Sequence, residues 1–85
     1  MKKRRILEAL LAGRVLTPFE ANKIGNTSDG TRIIRKIREV YPVKDVKVIN
    51  EDYHEYWLDP EFIKAWRERR VEFVLGKLVI TPSAV

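Results

Sequence analysis

The 85-residue sequence predicts a mostly helical α+β fold, a three-helix core followed by a β-hairpin and an additional C-terminal helix. Three observations point to it. Apolar residues recur at spacings of three and four through the first half of the chain. Two runs rich in β-branched and aromatic residues flank the polar triplet Asn50-Glu51-Asp52. Thr17-Pro18 and Asp59-Pro60 are strong helix starts.

The first helix is expected from about Lys3 to Ala12, with Ile6, Leu7, Leu10 and Leu11 on one side and Gly13 ending it. Thr17, Pro18 and Glu20 form a capping box with proline where its missing N–H does no harm, so a short second helix runs to Ile24-Gly25. Gly25 supplies the freedom for a sharp reversal, and Ala21 is small where two helices must approach. A third helix is expected from Thr27 or Ser28, with Asp29 near its positive end, to Val40, stopping before Pro42. Val43–Ile49 and Tyr53–Leu58 read as a hairpin. A last helix is expected from Asp59 to about Leu75, ended by Gly76, with a short strand in Lys77–Ile80. Residues 1–58 then form a winged helix-turn-helix, and 59–85 a helix and tail that pack on it or mediate dimerisation, one domain overall.

Composition excludes several classes of function. There is no cysteine and a single histidine, His54, so thiolate metal sites, disulfides and Ser-His or Cys-His pairs have no basis. No Gly-rich phosphate loop, nucleophile elbow or metal-ligand spacing occurs, and the expectation is no catalysis, no cofactor, no metal and no small-molecule substrate. The longest apolar run, Leu78–Ile80, is far below the roughly 20 residues of a membrane span. The basic-then-apolar N-terminus resembles the start of a signal peptide, but Glu8 and Arg14 interrupt it and its amphipathic spacing assigns it to the fold. A cytoplasmic location is expected.

The formal charge of +5 favours an anionic partner, and its distribution says more. Residues 32–38 hold Arg32, Arg35, Lys36 and Arg38 with no acid among them, whereas residues 50–61 hold five acids and no Lys or Arg. At 100° per residue, Gly30, Ile33, Ile34, Ile37 and Tyr41 share one side of the third helix. Ser28, Arg32, Arg35, Lys36 and Glu39 share the other, flanked by Thr31 and Arg38. Such a helix, about 28–40, fits a DNA major groove, with Arg32 the best placed for a guanine edge and the later cations for phosphates. Exposed basic faces are commonly just solvated, but the capped helix and tight turn in front of this one favour recognition.

The segment from Arg5 to Leu58 resembles the small helix-turn-helix domains common among bacteriophage and prophage proteins. Gly13, Leu16, Thr17, Glu20 and Ala21 match the block between the first two helices of that family. Gly25 and Thr27 match its turn, Arg32, Ile33, Ile37 and Arg38 its third helix, and Tyr53, Tyr56, Trp57 and Leu58 its strand. The resemblance implies a winged helix fold and double-stranded DNA as partner, in transcription regulation as a repressor, in excisionase-like architecture, or in packaging or replication. For a phage-derived protein the location is the bacterial host cytoplasm.

The hairpin tip is acidic and suits phosphate poorly, so Lys44 and Lys47 are its better candidates for DNA contact. Tyr53, Tyr56 and Trp57 are expected in the core, and His54 exposed without a chemical role. On the last helix Phe62, Trp66 and Phe73 form a stripe that packs on the core or makes a homodimer. The alternative function is a protein–protein interaction module with no DNA binding, using the acidic hairpin and the Trp66 helix.

Overall fold

A computed structural model of the chain describes residues 2–82. It is a small α+β structure with four helices and two antiparallel two-stranded hairpins. In order these are α1 (Lys2–Leu11), α2 (Pro18–Gly25), α3 (Gly30–Arg38), β1 (Val43–Lys47), β2 (His54–Leu58), α4 (Pro60–Arg67), β3 (Val71–Val74) and β4 (Lys77–Ile80).

The α1 helix buries Ile6 and Leu10, the pair its spacing selects, and Gly13 ends the turn after it at φ +87°. The capping box at α2 forms as expected. Glu20 N donates to Thr17 Oγ1 at 3.2 Å, and Thr17 N donates to Glu20 Oε1 at 3.3 Å. The link from α1 to α2 does more than connect. Leu16 and Tyr56 exchange both backbone hydrogen bonds at 2.8 Å, so Leu16 lies against β2 as a one-residue third strand.

Between α2 and α3 the chemistry differs from the sequence expectation. Gly25 is helical and buried, while Asn26 takes the left-handed conformation at φ +50°. Thr27 N donates to Asn22 O and Asn26 N to Lys23 O, which closes α2 as a Schellman motif with asparagine at the reversal. Gly25 is required for closeness instead, since a Cβ there would stand 2.9 Å from Ile6 Cδ1. Helix α3 also starts later than expected, at Gly30, and ends at Arg38. Asp29 holds the N-cap position but makes no side-chain cap bond. Asn22 supplies that bond from the neighbouring helix: its Oδ1 accepts from Gly30 N at 2.7 Å.

The last helix is the larger correction. It stops at Arg67, not near Leu75. Arg69 is left-handed at φ +58°, with Arg70 N donating to Ala65 O and Arg69 N to Trp66 O. Val71, Phe73 and Val74 favour an extended chain over a helix, and Leu75 and Gly76, both at positive φ, make a tight hairpin turn into Lys77–Ile80. Gly76 is thus a turn residue rather than a helix cap. Phe62, Trp66 and Phe73 consequently share no helical stripe, because Phe73 stands on β3.

The core joins both parts of the chain: Ile6, Leu10, Leu16, Ala21, Ile34, Ile37, Val43, Leu58, Phe62 and Ile63 form one buried cluster. Tyr41, just past α3, meets the rings of Phe62 and Trp66 at 6.0 Å each, which fixes α4 against the end of α3.

The packing at Gly30 yields a test. A Cβ at Gly30 would lie 2.6 Å from Asn22 Oδ1 and 2.8 Å from both Ala21 Cβ and the Asn22 backbone nitrogen. Gly30→Ala therefore destabilises the fold by about 2 kcal/mol or more in urea unfolding, although alanine is the better helix former by about 1 kcal/mol. Gly25→Ala, which meets the flexible end of Ile6, costs about 1 kcal/mol or less.

Candidate nucleic-acid interface

Helix α3 sorts as its sequence dictates. Gly30, Ile34 and Ile37 are buried and Ile33 is partly buried. Arg32, Arg35, Lys36, Arg38 and, just before the helix, Ser28 are exposed, with Thr31 half-buried. Among the described residues no carboxylate lies within salt-bridge distance of Arg32, Arg35 or Lys36. Three free cations therefore project from one helix whose nine residues contain no acid. Arg35, Lys36 and Arg38 occupy its last turn, where the negative end of the helix dipole favours them.

Arg38 is different, because it is already engaged. Its Nη1 lies 3.0 Å from Asp45 Oδ1 on β1, and the other oxygen of Asp45 lies 2.6 Å from His54 Nδ1 on β2. A carboxylate only accepts, so His54 donates from Nδ1. The imidazole also stacks beside Tyr56 at 6.2 Å. His54 thus has a structural partner where the sequence suggested none, and the Arg38–Asp45–His54 chain ties the end of α3 to both strands of the hairpin. The hydrogen bond from His54 chiefly holds the Asp45 carboxyl below its ordinary value of 3.8, with the charge of Arg38 adding to it and partial burial opposing. The signal was present in the register. Asp45 pairs with Tyr56 and Lys47 with His54, so Asp45 and His54 are diagonal neighbours on one face.

That register also separates the two hairpin lysines. Lys47 shares the face of Asp45 and His54, toward the end of α3, whereas Lys44 pairs with Trp57 on the opposite face. The tip remains acidic: Glu51 and Asp52 are exposed, and Asn50 turns the chain at φ +65°. Of the hairpin aromatics, Tyr56 packs against the core. Tyr53 is half-buried and meets Phe19, at the start of α2, edge-on at 5.7 Å. Trp57 instead lines an open hollow of about 620 Å³ with Val15, Ile63, Lys64 and Arg67. Farther along, Arg70 is held by Glu68, its Nε at 2.9 Å from Glu68 Oε1, so it is not a free phosphate contact.

Phe62 is buried, which removes it from any surface between subunits, while Trp66 and Phe73 are accessible. Among the described residues no three His, Asp or Glu side chains gather as a metal site, and no helix is long and apolar enough to cross a membrane. Comparison of the chain with family models, curated proteins and solved structures gives no match.

Asp45 provides a pH test. A carboxyl whose folded pKa is depressed stabilises the fold above its unfolded value, and that stabilisation is lost as pH falls through the lower folded value. Asp45→Asn therefore lowers stability by about 0.5–1 kcal/mol at pH 5 in chemical denaturation. The gap from wild type closes as pH drops below 3.8, the ordinary carboxyl value.

Proposed function

We propose that the protein binds duplex DNA as a small winged helix-turn-helix protein of phage or mobile-element type, with α3 in the major groove. The observation that carries this reading is the set of unpaired cations on α3, Arg32, Arg35 and Lys36, presented on a helix whose opposite side is locked into the core. A helix with its side chains is about as wide as the major groove, and cations free of intramolecular partners surrender no ion pair on meeting phosphate. In this reading β1 and β2 are the wing and Leu16 its third strand. Ser28 and Thr31 lie at the N-terminal end that meets base edges, beside Arg32, whose fork pairs with guanine O6 and N7. Arg35 and Lys36 take phosphates. Lys47 is the wing's contribution, Arg38 serves chiefly to hold the wing in place, and Lys44 faces away from α3.

Fluorescence anisotropy with a mixed-sequence duplex at several salt concentrations tests the proposal. Affinity should fall by about 0.9 log units per decade of salt for each phosphate neutralised. Arg32→Ala combined with Lys36→Ala should weaken binding by about tenfold or more and flatten that slope by about 1, the phosphate contact of Lys36, with unchanged circular dichroism. Absence of binding near 50 mM salt, where such contacts are strongest, would replace this reading with a protein-interaction role.

A further inference from the structure

The second hairpin is built in a way the DNA-binding face does not require. Strands β3 and β4 and the turn between them expose Phe73, Val74, Leu75, Val79 and Ile80, with Phe73 65% and Leu75 98% accessible, and Trp66 stands nearby on α4. An isolated two-stranded sheet is marginal in water, and an open apolar edge invites another strand. Among the described residues the two edges are not equally open. On the outer side of β4, Leu78 donates its N–H to Val40 O at 2.8 Å. Phe73 is the cross-strand partner of Leu78. In an antiparallel ladder such a pair turns its backbone groups outward on both strands. The N–H and C=O of Phe73 therefore point away from β4, and no backbone group of another described residue meets them there. No proline or lysine guards β3, whose sequence is Val-Glu-Phe-Val.

We infer that β3 pairs with β3 of a second copy of the chain, antiparallel about a twofold axis at Phe73, giving a four-stranded sheet across the dimer. The register is the one the sequence tolerates. Centred on Phe73, it sets Glu72 opposite Val74 of the second copy, whereas a register centred on Glu72 would set two carboxylates face to face. It also brings Leu75 of the second copy beside Val71, which with Trp66 and Arg69 lines a hollow of about 330 Å³. Charge permits the approach: residues 68–77 carry Arg69, Arg70 and Lys77 against Glu68 and Glu72, a net +1 within a chain of +5. At about 150–250 Å² for a large side chain, the accessible parts of Phe73, Leu75 and Trp66 amount to roughly 300–400 Å² of apolar surface per copy. With the strand backbone this reaches the low end of specific interfaces, so association is to be sought from micromolar concentrations upward.

The inference does not depend on DNA binding, and its test contains no DNA. Sedimentation velocity of the full chain, from about 5 to 500 µM, should show a reversible monomer–dimer equilibrium. Phe73→Lys sets two cations opposite each other and should weaken the dimer by about tenfold or more, while Val79→Lys, on the inner strand, should not. Mixing Phe73→Lys with Phe73→Glu should restore association, since only a twofold at this position makes residue 73 its own partner. Because the chain has no cysteine, Phe73→Cys gives an independent reading that keeps the apolar character of the edge. Mild oxidation should cross-link it faster than Val79→Cys, paired residues on adjacent strands lying about 5.5 Å apart at Cα, within disulfide reach. A wild type that stays monomeric throughout, a dimer indifferent to Phe73→Lys, or a Phe73→Cys variant no faster than Val79→Cys overturns the inference.

Discussion

The close approach of α2 and α3 at Ala21 and Gly30 is the constraint on which the rest of the structure depends. Backbone meets backbone there because neither residue projects beyond a methyl group, and Asn22 Oδ1 takes up the first free N–H of α3. The contact fixes both where α3 begins and at what separation it leaves α2. Ile34 and Ile37 then reach the interior from α3, and the cations on its far side are aimed by the same anchoring. The position of the exposed face is thus a consequence of packing at the buried one.

A second tie acts at the other end of α3. Arg38, Asp45 and His54 connect the last turn of the helix to both strands of the first hairpin, and Tyr41 immediately beyond joins Phe62 and Trp66. Helix α3 is therefore gripped at its start by a hydrogen bond to α2 and at its end by an ionic chain and an aromatic cluster. Between these grips Arg32, Arg35 and Lys36 have no ion-pair partner among the described residues. The division of labour among four neighbouring basic residues follows from distance to one aspartate.

Much of this was legible in the residues. The capping box, the faces of α1 and α3, the first hairpin and its turn all rest on local chemistry, within four positions for the helices and within fifteen for the hairpin. The failures lie where local signals were balanced or the partner was distant. Residues 59–75 begin with a strong helix start and continue with a mixed apolar pattern, and only the left-handed Arg69 and the turn at Leu75-Gly76 convert the second half to strands. In sequence Gly25 suggests conformational freedom, because glycine usually serves that purpose in a turn. Its real requirement is the side chain of Ile6, nineteen positions earlier. Asn22 and His54 carry no local signal for the same reason: their partners, Gly30 and Asp45, become neighbours only after the fold exists.

The bridge between Leu16 and Tyr56 has an entropic meaning. The two residues are forty positions apart, and α2, α3 and β1 all lie within the loop that their bridge closes. Closing a long loop is entropically costly, and the cost grows with the logarithm of the chain enclosed. Once α1, α2 and α3 have condensed, most of the intervening chain is already shortened, and Leu16 is a fixed edge waiting for a strand. The helices thus bring Leu16 within reach of β2, and the bridge closes a loop that α2 and α3 have already shortened. Leu16 thus ties the first hairpin to the link between α1 and α2, as Asp45 ties it to the end of α3.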